Sequence, residues 1–305
     1  MVSGTRVYTA RKRPGSRLNA RRYGLSGAVI YAVIITAVVV TIIPVLHILA
    51  LSMSGREAVL ARKVSLIPRD INFNAYTSVF MDKSMQRALG FSAVLTISYT
   101  LLAMAGSILL AYPLCKARLP GRGGLMVFIL IPMYFTGGII PEYLWIKTLG
   151  LVDNPLSLLL PVLISTYNTI ILRNFFSSIP ASLEESAMID GAGDFTVLAR
   201  IVLPLSVPAL ATLSLFYAVS RWNTFADVRY YINSTRFYTL QMKLYQVVFN
   251  STDTEVNMLE GGRNAVLSDT IKSAAIVFAT APILAVYPFL QRYFVQGVMI
   301  GAVKE

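Results

Sequence analysis

Glu184, Glu185 and Asp190 crowd into one short polar stretch, Pro180 to Ala192, between two long apolar runs. Carboxylates so grouped could hold a metal or move a proton, given the right companions. The chain does not supply them. His47 is its only histidine and Cys115 its only cysteine, which excludes multi-histidine and thiolate zinc sites. No G-x-x-x-x-G-K-[ST] loop occurs, so the standard cradle for nucleotide phosphates is missing. The glycine-rich Gly121-Arg122-Gly123-Gly124 lacks the lysine and the preceding strand such a loop needs. No nucleophile–base arrangement can be assembled. The chain is therefore read as no enzyme, with no catalytic residue, metal or cofactor of its own.

Local patterning says how the carboxylates are held. Ser182 can cap a helix, with Glu185 three residues on as a capping box requires. Gly191 follows Asp190 where a left-handed residue would stop that helix. Asp194 can cap a second amphipathic segment that carries Phe195, Leu198 and Val202 and runs into Leu203-Pro204. The expectation is two short helices joined by a glycine hinge.

Around this segment the composition is that of a membrane protein: 55% hydrophobic, 14% charged, mean hydropathy +0.63, against about 25% charged in soluble domains. Residues 25–52, 88–115, 123–141, 155–172, 201–220 and 273–291 carry no Lys, Arg, Asp or Glu, and most approach the length of about 20 residues that spans a hydrocarbon core. Six transmembrane helices are expected, in an all-α polytopic fold. The prolines within them (Pro44, Pro132, Pro161, Pro208, Pro282) are tolerable where neighbouring helices satisfy the freed carbonyls. Ion-coupled carriers place ionisable groups inside their spans; these runs have none, and His47 lies near the end of the first.

The net charge of +12 does not point to nucleic acid, because it is concentrated at membrane edges. Arg6, Arg11, Lys12, Arg13, Arg17, Arg21 and Arg22 precede the first run without an acid among them. That is a positive-inside signal. It puts the N-terminus in the cytoplasm, and an even number of spans returns the C-terminus there. Lys116, Arg118 and Arg122 mark the second-to-third connection as cytoplasmic too. The first outer connection, where basic residues outnumber acidic ones, is the exception. Residues 1–24 form a basic tail. The long fifth-to-sixth connection, 221–272, alternates aromatic residues with charges and lies outside.

The spacing Glu185-Ser186-Ala187, three residues, Gly191, nine residues, Ile201-x-Leu203-Pro204 resembles the EAA loop of ABC importer permeases. Pro132 to Pro141, Arg173-Asn174-Phe175-Phe176, Trp222-Asn223 and the ending Gln291 to Lys304 are similar to the carbohydrate permeases of the MalG and LplC type. Ser186 stands where that triplet has a second small residue, Ala. The resemblance implies a permease domain over residues 25–305 with its coupling loop at about 180–204, set in the inner, cytoplasmic membrane. It implies a second homologous permease subunit, two ATPase subunits that bind ATP and magnesium, and an extracytoplasmic solute-binding protein. Glu184, Glu185, Ser186, Ala187, Asp190, Gly191 and Ala192 would meet the ATPase, with Leu183, Met188 and Phe195 packing the knob into its socket. Gly301 and Lys304 of the tail would be secondary contacts. The cargo implied is an oligosaccharide, including acidic ones of the alginate or pectin type.

Sugar sites use aromatic faces and amides, which makes Tyr134, Tyr167, Asn168, Tyr217, Trp222 and Asn223 substrate-path candidates, with Arg221 as the basic group nearest to them. Two alternatives remain at this point. One is an ion-coupled secondary sugar carrier, which would transport without ATPase subunits. The other is a membrane scaffold or receptor, which would not co-purify with them.

Overall fold

Uncharged runs of Leu, Ile, Val and Ala satisfy their backbone within helices, as a bilayer demands. The computed structural model, which describes residues 25–257 and 269–288, is helical throughout, without a strand among the described residues. Its helices are α1 (Leu25–Ser52), α2 (Arg56–Leu60), α3 (Asn74–Met81), α4 (Lys83–Cys115), α5 (Arg122–Tyr134), α6 (Ile139–Thr148), α7 (Thr166–Ser177) and α8 (Ala181–Ile189). They continue with α9 (Asp194–Leu205), α10 (Val207–Asn223), α11 (Ala226–Tyr231), α12 (Leu240–Asn257) and α13 (Asp269–Pro288). The described residues divide into two compact units, one up to Leu46 and the other from His47 onward.

In the second unit α4 is the central post. Its 33 residues make it about 50 Å long, more than a hydrocarbon core requires. Asp82 caps it, accepting from the Ser84 N–H at 2.7 Å. Ala103, Ser107 and Ala111 are buried at four-residue spacing, small side chains that let neighbouring helices come close. α7 and α10 pack there. Tyr99, Met104, Tyr112, Leu172, Phe176, Leu213 and Tyr217 fill the core between the three helices. A second core joins Trp222 of α10 and Leu240 of α12 to Ala274, Ala275 and Phe278 of α13. A third gathers Ile146, Leu158, Val228, Tyr231 and Met242 at the far end of α4, around Leu95.

The span count needs qualification. α1, α4 and α13 are single helices long and apolar enough to cross a membrane, and the bent pairs α5–α6 (112°) and α9–α10 (82°) bring the candidates to five. Residues 155–172, expected as one span, form no single continuous helix. Pro155–Leu158 is a 3-10 turn started by Asn154, whose side chain accepts from the Leu156 N–H. Residues 159–165 are not helical, and α7 starts afresh after Ser165, whose hydroxyl accepts from the Asn168 N–H. Pro161 sits in this break, so it interrupts a helix rather than kinking one. Pro44 and Pro132 do lie inside helices, while Pro208 begins α10. Residues 1–24, where the basic tail was read, lie outside the described residues.

Candidate functional site

The polar segment folds as two helices around a glycine. α8 ends at Ile189 with Asp190 as its C-cap, and Gly191 follows at φ +87°. The Gly191 N–H donates to the Met188 carbonyl at 3.0 Å and the Ala192 N–H to the Ala187 carbonyl at 2.9 Å. Both bonds of a Schellman closure are therefore present. The start of the helix differs from expectation. Pro180 is the residue before α8 and Ser182 lies inside it, so no side-chain cap forms. The Pro180 carbonyl accepts from the Leu183 N–H at 3.2 Å, which sets the start of the helix ahead of Ser182. Gly193, likewise, precedes α9, and Asp194 is its first residue rather than its cap.

The segment has an inward and an outward face. Ala187, Met188 and Ala192 pack against the α4–α7–α10 core, so Met188, expected at a partner surface, turns to its own chain. Glu185, Ser186, Asp190 and Gly191 are exposed. Beside them stand Leu183, Phe195 (76% exposed) and Ile189 (86% exposed). Ile189 escaped the sequence reading; it is the apolar residue left when Met188 and Ala192 are assigned inward, a choice that periodicity within nine residues does not make. An exposed patch of Leu, Ile and Phe flanked by two carboxylates that form no ion pair among the described residues has the chemistry of a docking surface.

Two ion pairs, unforeseen because their partners are far apart in sequence, tether the segment. Lys116, just after α4, pairs with Glu184, and both side chains are largely covered. Burial pulls the Lys116 ammonium below the usual lysine range, and its Nζ lies 4.3 Å from the centre of the Tyr112 ring. Glu184, expected to face a partner, is thus committed internally. Arg118 pairs with Asp194 at the open surface, where such pairs contribute about 1 kcal/mol at most. Arg173 donates from Nε to the Leu114 carbonyl at 3.3 Å, which fixes the end of α4 to α7.

Beyond Asp194 the chain couples the surface to the core. Residues Leu198–Val202 form a π turn, a feature often found at functional sites. Val197, Leu198 and Val202 belong to the same buried cluster as Tyr99, Leu172 and Tyr217. At Ser206 the chain turns 82° into α10, and the buried Ser206 hydroxyl donates to the Val202 carbonyl at 2.7 Å. A push on α8 or α9 therefore reaches α4, α7 and α10 through contiguous packing.

The substrate-path candidates divide. Tyr134, Tyr167 and Asn223 are exposed, although Asn223 donates to the Val219 carbonyl. Asn168, Tyr217, Arg221 and Trp222 are buried. Tyr217 shares a 2.6 Å hydrogen bond with Ser107 and accepts from the Ser165 N–H at 3.3 Å. Trp222 donates to the Ala279 carbonyl and lines an apolar cavity between α4, α10 and α13. Arg221, 3% exposed, donates to the Leu158 carbonyl, pairs with Asp227 and lies over the Tyr99 ring. Tyr99 in turn donates to the Val162 carbonyl at 2.7 Å. Tyr99 of α4 and Tyr217 of α10 thus pin the break at 159–165, and Arg221 of α10 pins the 3-10 turn before it. Gly301 and Lys304 lie outside the described residues.

Comparison with known proteins agrees with this geometry. Residues 103–300 match the family described as binding-protein-dependent transport system inner membrane component. The chain is 41% identical over 276 residues to the polygalacturonan/rhamnogalacturonan transport system permease protein YtcP of Bacillus subtilis (strain 168), covering 90% of this chain and 96% of that protein. It is 43% identical over 266 residues to protein LplC of the same organism, covering 87% and 90%. A chain in the crystal structure of a bacterial ABC transporter involved in import of the acidic polysaccharide alginate aligns with a TM-score of 0.81 at 32% identity, covering 89% of this chain and 99% of that one.

Proposed function

The chain belongs to the family of binding-protein-dependent transport system inner membrane components, and from that premise we propose that it carries uronate-rich oligosaccharides across the membrane as half of an ATP-driven pathway. As a member of that family it is a permease component of an ABC importer, without catalysis or cofactor of its own. The finer reading has six crossings, with residues 155–177 as a broken fourth. Both termini are cytoplasmic, and α8 faces the cytoplasm. A second permease subunit completes the pathway, and two ATPase subunits supply the energy.

The observation that carries this reading is the exposed surface of Glu185, Ile189, Asp190 and Phe195 across α8, its C-cap and α9 on a segment wired into the transmembrane core. In this account the ATPase groove takes Leu183, Ile189 and Phe195 into apolar contact, and its basic groups meet Glu185 and Asp190. Glu184, Ala187 and Ala192 support the segment from within. Closure of the ATPase dimer moves α8, and the spans rock between inward-open and outward-open states. The sugar reading is supported by YtcP, a polygalacturonan/rhamnogalacturonan permease, and by the alginate importer.

The test is uptake of trigalacturonate into proteoliposomes holding this chain with its co-purified permease, ATPases and binding protein. Uptake that needs ATP inside is expected. Uptake by the chain alone, driven by an ion gradient, would establish a secondary carrier instead.

A further inference from the structure

An acidic sugar needs a cation on its route, and Arg221 is unsuited, being buried and paired with Asp227. The same end of α10 carries a different cation. Phe225, just before α11, stacks on Tyr245 of α12 at 5.1 Å and 19°. Tyr245 stacks in turn on Phe249 at 4.3 Å and 30°. Arg229 of α11 places its guanidinium 4.7 Å from the centre of the Tyr245 ring and donates to the Tyr245 hydroxyl. Phe225, Arg229 and Phe249 are exposed, Phe249 by 54%.

Arg229 makes no ion pair among the described residues. The nearest carboxylate in sequence, Asp227, is taken by Arg221. Asp153 accepts instead from Ser234 and from the Asn233 N–H. A guanidinium has five N–H donors in a fixed fork, and the Tyr245 hydroxyl occupies only part of it. Stacking on the ring orients that fork without neutralising it.

We propose that Phe225, Arg229, Tyr245 and Phe249 form a receiving site for an acidic oligosaccharide, with the Arg229 fork taking a uronate carboxylate and the exposed aromatic faces taking the C–H face of a sugar ring. This rests on the oligosaccharide reading and adds the charge class to it. Rings already stacked on Tyr245 lose little freedom on binding, so little ordering cost is set against the contacts they make. A carboxylate–guanidinium bond is charge-assisted and bidentate, so the site favours uronates over neutral sugars of the same shape.

The experiment uses the full importer in proteoliposomes with its binding protein. It compares trigalacturonate with the neutral trisaccharide made by reducing its carboxyls. Arg229→Gln should lower the charged-to-neutral uptake ratio about threefold to tenfold, the range for one charge-assisted bond at a screened site. Arg229→Lys should recover part of it, and Phe249→Leu should reduce uptake of both sugars together. Equal loss on both sugars with Arg229→Gln would overturn the proposal and assign Arg229 to contact with the binding protein. An unchanged ratio and rate would overturn it too. A wild-type importer that carries neither sugar would sink the oligosaccharide reading itself, and this site with it.

Discussion

Replacing Gly191 separates two reasons for a glycine between α8 and α9. Its φ is +87°, and a Cβ built there meets no atom of the described residues within 4 Å beyond its two chain neighbours. Among the described residues, then, the obstacle to a larger residue is the left-handed backbone, which costs an L-residue roughly 1–2 kcal/mol. Asn tolerates that region better than other non-glycine residues. Gly191→Ala should therefore destabilise the Schellman closure by roughly 1–2 kcal/mol, about a 5- to 30-fold shift in the population of the closed turn. Gly191→Asn should cost less, and Gly191→Val more, because β-branching adds to the strain. The assay pairs hydrogen exchange of the Gly191 and Ala192 amides with ATP-driven uptake in the assembled importer. Protection of these amides from exchange, and uptake with it, should fall in the order Gly, Asn, Ala, Val. Uptake that instead tracks side-chain volume, with Asn worse than Ala, would refute the backbone argument and place the constraint in the ATPase groove. Wild-type exchange in Gly191→Val would refute the closure as a stabilising element.

Two further outcomes follow from the tethers. Glu184→Gln strands the largely covered Lys116 ammonium and should cost about 1–3 kcal/mol, the buried-pair range reduced for residual exposure. Lys116→Met combined with Glu184→Leu should recover most of that in thermal unfolding, and a double variant no better than the single one would show that the pair is not coupled. Hydrogen bonds from the Ser234 hydroxyl and the Ser234 and Asn233 amides hold the Asp153 carboxyl below its ordinary range. A depressed folded value means that this clasp contributes fully above the unfolded carboxylate pKa of about 3.9 and is lost as pH falls through the folded value. Proteolysis around residues 233–237 should stay flat from neutral pH to about 4 and rise only below it; a rise near pH 6 would contradict the assignment.

Features set by neighbouring residues could be read from the chain. Gly191 ends α8 because a helix stop depends on one residue and its local hydrogen bonds, and the apolar run of α1 became a helix with the expected ends, Leu25–Ser52. The errors arise where a local signal competes with another or where the partner is remote. Ser182 and Glu185 have capping-box spacing, yet Pro180 starts the helix first. The charge-free run 155–172 has the composition of a span, but Asn154 and Ser165 each cap a new helical start within it. What holds that break together, Tyr99, Tyr217 and Arg221, comes from two other helices. The Lys116–Glu184 pair and the Arg229–Tyr245 stack join residues 68 and 16 positions apart, and no local pattern announces either.

If α8 presents Ile189 to an ATPase subunit on the cytoplasmic side, photo-crosslinking will capture that contact. Cys115→Ser removes the native thiol, and Ile189→Cys or Phe249→Cys then carries a benzophenone in the assembled importer. The account predicts a crosslink to the ATPase from position 189 and none from position 249. A crosslink to the ATPase from 249, or none from 189 in a complex that still transports, would contradict it.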